Sequence, residues 1–316
     1  MNIFIAGGTG AIGRFLVPLL VDAGHKVVAL TRSADRTSQL EQMGAVPVVG
    51  DVYDEARLAR LVADSEPEVV IHQLTAFGTT TGDPYAETIR VRIEGTRSLI
   101  SATRAARARR FIAQSISFMC SPFGSGLTDE ETPLYLDAPA AIRALAEAVA
   151  SLESQTLNAH GMTGTVLRYG WFYGPGTSWD PDGFIPHAIR EGTYPIVGSG
   201  AGTYSFINLR DAAAVTVKVL AQEAHGIYNI VDDSPVRLRE WLPFTAKLLN
   251  APAPGHEDVA SARKRIGDMR VYYMNEQRGA SNGRAKREFN WQPAFPSCRA
   301  GFEALYSNRS RDSDAI

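Results

Sequence analysis

The chain is poor in the residues that build several common kinds of site. Its 316 residues include two cysteines, Cys120 and Cys298. So isolated a pair makes neither a disulfide framework nor a thiolate metal site, and it suits a reducing compartment. The six histidines are scattered without ligand spacing, so no metal centre is expected. Neither sign of charge dominates. The formal net charge is −2, which gives no bulk attraction to nucleic acid or to an anionic membrane. The four arginines in Arg104–Arg110 end a predicted helix, where cations complement the dipole, and they read as a solvated face. No stretch approaches the roughly 18 apolar residues of a membrane span. The first residues enter a strand directly, without the charged start and long apolar stretch of a leader, so a cytoplasmic location is expected. A hydrophobic content of 45%, 21% charged residues and no internal repeat describe a globular chain of one large or two modest domains.

What is present is concentrated at the start. Ile3–Ala6 is a short apolar strand, glycines follow at positions 7, 8, 10 and 13, and Phe15, Leu16, Leu19 and Leu20 begin a helical pattern. A second apolar strand follows at Lys26–Leu30. Strand, glycine-rich turn and helix start together suit a dinucleotide pyrophosphate. The helix N-terminus offers N–H groups and partial positive charge, and glycine lets the backbone approach the ligand closely. Two registers fit. Gly8, Gly10 and Gly13 have the dehydrogenase spacing, whereas Gly7, Gly10 and Gly13, with Thr9, Ala11 and Ile12 between, have that of short-chain dehydrogenases/reductases. Later residues favour the second.

Strand patterns at 45–49, 68–72, 110–113 and 163–167 alternate with helical patterns at 34–43, 55–63, 85–107 and 139–159. Near-continuous apolar strands between helices predict an α/β fold, a Rossmann-type doubly wound parallel sheet covered on both faces. After residue 174 the pattern changes to short elements. Helices are expected at 211–221 and 240–249, a strand at 227–231, and a surface connection at 251–261. The expected division is a dinucleotide-binding domain at 1–174, its sheet completed by 226–231. A smaller C-terminal substrate-binding lobe takes 175–225 and 232–306, and 307–316 form a flexible tail.

Several segments together resemble the extended short-chain dehydrogenase/reductase family of sugar epimerases, dehydratases and related reductases. They are the glycine turn, Gly50-Asp51-Val52, Val70-Ile71-His72-Gln73-Leu74-Thr75-Ala76, Leu167–Gly176, Ser205–Asp211 and Gly226–Ile230, in order and at the family's spacing. The resemblance implies that Asp51 and Val52 contact adenine, and that Leu74, Thr75 and Ala76 lie beside the nicotinamide ribose. It places Ser115 and Tyr173 near the cofactor. At the end of the second strand, where NAD-preferring relatives carry an acid, this chain has Arg32 with Arg36 close behind. Guanidinium groups suit a 2′-phosphate, so NADP(H) is favoured and NAD(H) stays possible.

One familiar pair is missing. The family's proton transfer uses a Tyr four residues before a Lys, one helical turn apart, so that the ammonium lowers the phenol pKa. The lysines here are Lys26, Lys218, Lys247, Lys264 and Lys286, and none lies four residues after a tyrosine. Counting from Glu153 and Arg168, the pair's positions fall near Leu145 and Val149. Such groups supply about 10²- to 10⁴-fold of rate, yet hydride transfer belongs to the nicotinamide. Tyr173, Ser117 and Tyr135 are the candidate replacement proton donors, each with a packing role as the alternative. No carboxylate follows the fifth strand until Asp129, unlike the 4,6-dehydratases. Aromatic residues Phe118, Trp171, Phe172, Trp179 and Tyr204 gather in the substrate segments instead.

The expected activity is an NADP(H)-dependent oxidoreductase acting on an apolar or aromatic small molecule, in a pocket from residues near 74–80, 115–123 and 171–180. A nucleotide-sugar epimerase or dehydratase, and a non-catalytic NADP(H)-binding sensor or scaffold, are the alternatives. A homodimer through helices 85–107 and 139–159 is expected, because the second is apolar around much of its surface. No nucleic-acid or membrane partner is expected.

Overall fold

The computed structural model describes residues 1–76 and 83–313. In chain order its main elements are β1 (Asn2–Ala6), α1 (Gly13–Asp22), β2 (Lys26–Thr31), α2 (Thr37–Gln42), β3 (Val46–Val49), α3 (Glu55–Asp64), β4 (Val69–His72), α4 (Pro84–Arg90), α5 (Thr96–Ala105), β5 (Arg110–Ile116), α6 (Ala140–Leu157) and β6 (Thr163–Tyr169). There follow β7 (Trp171–Tyr173), α7 (Phe184–Arg190), β8 (Ile196–Val197), β9 (Thr203–Tyr204), β10 (Phe206–Asn208), α8 (Leu209–Ala221), β11 (Gly226–Ile230), β12 (Val236–Arg237), α9 (Leu238–Leu248), β13 (His256–Glu257), α10 (Val259–Asn275), α11 (Gly283–Phe289) and α12 (Cys298–Ser313).

The chain divides into two compact units. Unit 1 comprises Met1–Ile116, Ala144–Arg168 and Ala212–Tyr228, and unit 2 comprises Ser117–Arg143, Tyr169–Asp211 and Asn229 onward. Ser117–Arg143 thus packs with the later segments, although the strand–helix alternation runs through it without a break.

Unit 1 is built on a seven-stranded sheet in the order β3-β2-β1-β4-β5-β6-β11. The pairs from β3 to β5 run parallel. The order reverses between β1 and β4, where Ala6 pairs with His72. A crevice beyond the carboxyl ends of the strands at such a switch point is where ligands bind in open α/β sheets. One face of the sheet presents Phe4, Val28, Val70 and Phe111, which pack with Leu58 and Val62 of α3, Leu99 of α5 and Leu152 of α6. Each such side chain contributes about 1.5–3 kcal/mol on burial. Buried Arg110 donates from Nη1 and Nη2 to the carbonyls of Leu220 and Val219, at 2.6 and 3.1 Å. A cation thereby closes the C-terminal end of α8.

Three local expectations change. The helical pattern at 85–107 is α4, a π-turn over Val91–Gly95, and α5. The segment at 251–261 is no simple surface connection: His256 and Glu257 pair with Ile196 and Val197, and α10 starts at Val259. The backbone is helical through Ser313, beyond the expected start of the tail at 307. Among the described residues, no helix is long and apolar enough to cross a membrane.

Candidate functional site

The glycine turn occupies the switch point of unit 1. Gly7 has φ +101°, and a Cβ there would lie 2.7 Å from the Gln73 carbonyl oxygen. Only glycine suits both the backbone conformation and the close approach of β1 to β4. A Cβ on Gly13 would lie 2.4 Å from the carbonyl oxygens of both Gly7 and Gly8, so the start of α1 sits directly against the turn. The Gly10 N–H closes the turn on the Gly7 carbonyl at 3.0 Å. These contacts pack Gly7, Gly10 and Gly13 into one tight turn between β1 and α1. No side chain caps α1 at Ile12, which leaves the helix start open to an anion.

The surrounding loops are held in place. Arg36 Nη1 donates to Thr9 Oγ1 at 3.4 Å across the glycine turn. Arg32 and Arg36 are both exposed. Asp51 Oδ1 accepts the Tyr53 N–H at 2.9 Å, shaping its own turn, and Val52 is buried. His72 is fully buried, and burial, followed by the nearby Arg92 charge, lowers its pKa to about 3. It is therefore neutral. Its Nδ1 accepts the Leu74 N–H at 3.2 Å, so Nε2 carries the proton and donates to Thr96 Oγ1 at 3.1 Å. The Ala76 N–H donates to Thr88 Oγ1 at 3.1 Å. Leu74–Ala76 is thus tied to the fold at both ends, with Thr75 exposed between. Residues 77–80 of the expected pocket lie outside the described residues.

Gln73 tests the fit of a dinucleotide. Its side chain is 4% exposed, and neither Oε1 nor Nε2 has a hydrogen-bond partner among the described residues. An orphaned carboxamide beside Gly7 fits a ligand rich in hydroxyl and phosphate groups, because an unsatisfied buried amide otherwise costs free energy. The residues present therefore fit a dinucleotide.

Leu145 and Val149 are buried on α6, at 1% and 0% exposure. Apolar side chains stand where the Tyr–Lys pair is counted to fall. Farther along α6, Glu153 receives Arg168 Nε and Nη2 at 2.8 and 2.7 Å. The Ser115 hydroxyl donates to the same carboxylate at 2.7 Å. The Ser115 hydroxyl, expected near the cofactor, is instead committed to Glu153 in a fully buried position.

Tyr173, expected beside the cofactor, is instead a core residue. It lies in unit 2, 0% exposed, with Phe206 and Phe302 in edge contact. A Cβ on Gly301 would overlap its hydroxyl oxygen. Burial, then the neighbouring Asp232 carboxylate, push its phenol far above the ordinary value. A phenol so enclosed packs within the aromatic core of unit 2. Ser117 is buried at the start of a 3₁₀ turn. Tyr135 is 7% exposed between Phe123 and Tyr272, and burial raises its phenol. Trp179 is likewise a core residue, stacked on Phe302 and in edge contact with Phe206 and Trp241.

The other aromatic candidates form a different group in unit 2. Phe118 and Trp171 stack with centroids 4.1 Å apart, and both are half-buried. Tyr204 leans on Trp171 at 5.4 Å. Phe172 is half-buried and packs against Tyr169. Two partners escaped the sequence reading. Tyr273 meets Trp171 and Phe118 edge-on, and Gln277 Oε1 accepts the Trp171 indole N–H at 3.2 Å. Among the described residues, no cluster of His, Cys, Asp and Glu could hold a metal ion.

A parallel sheet with a phosphate-suited glycine turn at its switch point defines a nicotinamide-dinucleotide-binding protein of Rossmann type. The model of the NAD dependent epimerase/dehydratase family matches residues 3–231, and the chain belongs to that family. It is 40% identical over 309 residues to a Streptomyces 3-diazoavenalumate denitrifying reductase, covering 95% of this chain and 99% of the relative. A Stigmatella aurantiaca quinoline-oxide ketoreductase is 26% identical over 77% of this chain and 71% of its own. The fold is similar to that of Thermotoga maritima UDP-glucose 4-epimerase, with TM-score 0.79, 20% identity and 99% of each chain covered. A human epimerase family protein solved with NADPH gives TM-score 0.73 at 21% identity, covering 98% of this chain and all of that one. The chain is an oxidoreductase of this family.

Proposed function

We propose that the protein is an NADP(H)-dependent reductase of an aromatic small molecule carrying an electrophilic nitrogen group of the diazo type. The observation that carries this reading is the near full-length 40% identity to a reductase whose name describes removal of nitrogen from a diazo compound. The apolar Leu145 and Val149 on α6 support it. When bound, a reduced nicotinamide supplies a hydride. An aryl diazonium plus one hydride gives the arene C–H and N₂, with no net proton. A site without the Tyr–Lys donor suits such a substrate better than it suits a ketone, whose alkoxide needs protonation.

The residues divide the work. The glycine turn and α1 hold the pyrophosphate, Arg32 and Arg36 take the 2′-phosphate, and Leu74–Ala76 line the ribose. Within unit 2, the stacked rings of Phe118 and Trp171 suit an arene. The test is NADPH oxidation with 4-hydroxybenzenediazonium, followed by absorbance near 340 nm (a cofactor property) and mass analysis of the product. One NADPH consumed per phenol formed supports the reading. Oxidation only with ketone substrates, or with none, overturns it.

A further inference from the structure

The geometry points to Gln277 as the donor that orients the substrate in an arene subsite walled by Phe118, Trp171 and Tyr273. This rests on the reductase reading above and adds how the substrate is recognised. The Trp171 indole can only donate, so its bond at 3.2 Å fixes Gln277 with Oε1 toward the indole. The two N–H groups on Nε2 are then left over. Gln277 is 2% exposed, and Nε2 has no hydrogen-bond partner among the described residues. A buried donor without an acceptor is costly, and an oxygen of a bound ligand would remove that cost.

The surroundings select the shape of the ligand. Phe118 and Trp171 lie nearly parallel, at 15°, and Tyr273 meets both at close to a right angle. Half-buried flat rings of this kind favour a planar arene by stacking. The wall is rigid. Tyr272 donates its hydroxyl to the Phe118 and Cys120 carbonyls, both at 3.2 Å. The Gln277 backbone is held on both sides, its N–H by the Tyr272 carbonyl and its carbonyl by the Thr203 N–H. The adjacent Arg278 spends its guanidinium on the carbonyls of Phe123, Ser125 and Gly126. The recognition is therefore by a neutral amide. The ligand class is a planar arene bearing an oxygen acceptor, such as a phenol, carbonyl or carboxylate.

Calorimetry with 4-hydroxybenzoate on the full chain tests this without turnover. Gln277→Leu keeps the bulk and removes the donor, and it is expected to weaken the probe at least tenfold while leaving NADPH binding unchanged. On the unmutated chain, toluene is expected to bind at least tenfold more weakly than 4-hydroxybenzoate, a comparison independent of how any variant folds. Equal binding by Gln277→Leu, or equal binding of the two probes, overturns the subsite. A chain that binds 4-hydroxybenzoate through Gln277 but reduces no diazonium defeats only the reductase reading. A chain that reduces the diazonium with KM unchanged in Gln277→Leu defeats only the subsite.

Discussion

Glu153 grips Arg168 at both carboxylate oxygens, 2.8 and 2.7 Å away, inside unit 1 where both side chains are almost fully buried. Removing one partner of such a pair leaves an uncompensated buried charge, which costs about 3–5 kcal/mol. Glu153→Gln keeps the shape and removes the charge. Urea denaturation is expected to show a loss in that range with an unchanged m-value. A loss below about 1 kcal/mol, the size of an exposed pair, would contradict the buried geometry.

The glycine turn predicts a loss of cofactor affinity from the smallest possible change. In Gly13→Ala the added methyl would lie 2.4 Å from two carbonyl oxygens, so the turn must move away from the helix start. NADPH affinity is expected to fall at least tenfold, about 1.4 kcal/mol, when titrated by fluorescence. Gly24→Ala serves as a control for surface glycine strain, since nothing lies within 4 Å of its position. That variant should bind NADPH like the parent.

Gln73 predicts a change of opposite sign in the free and bound states. Gln73→Leu removes an unsatisfied buried amide, worth about 1–3 kcal/mol, so the free protein should melt at a higher temperature. The same change removes a ligand contact, so the rise in melting temperature at saturating NADPH should shrink. Destabilisation of the free protein together with an undiminished ligand shift would show that the amide has a structural partner.

The turn and the sheet were legible in the sequence because backbone geometry leaves few residue choices at those places. Gly7 and Gly13 are fixed by sterics, and the apolar strands by two-sided burial. The substrate side was less so. Trp171-Phe172-Tyr173 is aromatic throughout and shows no alternation from which to read its faces. The triplet alone therefore does not reveal that Tyr173 packs on Phe302. Gln277 is 106 residues from Trp171, and no local pattern announces a pairing at that distance. The connection expected at 251–261 hid the start of α10, because prolines before it and Gly267 within it interrupt the helical signal.

Two buried groups oppose each other in pH dependence. Burial is the main cause that lifts the pKa of Asp232 to about 7 in the fold, against an ordinary 3.8. Between those values the folded state holds a proton that the unfolded state has lost, so stability falls as pH rises, by up to about 1.4 kcal/mol per pH unit. The contribution is complete below pH 3.8 and lost through pH 7. His72, lowered to about 3, does the reverse: its contribution is present above pH 6.5 and lost as pH falls. Asp232→Asn should therefore show a steeper loss of stability on acidification from pH 6.5 to 4 than the parent. Parallel stability curves for the two proteins would place the Asp232 pKa near its ordinary value.

Arg32 and Arg36 make the cofactor preference measurable. Both are exposed, and Arg36 reaches Thr9 of the glycine turn at 3.4 Å. An exposed guanidinium–phosphate contact contributes about 1 kcal/mol after solvent screening, or fivefold in affinity. Arg32→Ala and Arg36→Ala are each expected to weaken NADPH about fivefold, and the double variant about twenty-fivefold. NADH lacks the 2′-phosphate, so its affinity should not change. The preference for NADPH in the parent should also decline with salt, as an exposed ion contact does within a Debye length of about 8 Å. Equal losses for NADPH and NADH would assign the arginines to the pyrophosphate or to the loop itself, and would remove the basis for NADP(H) preference.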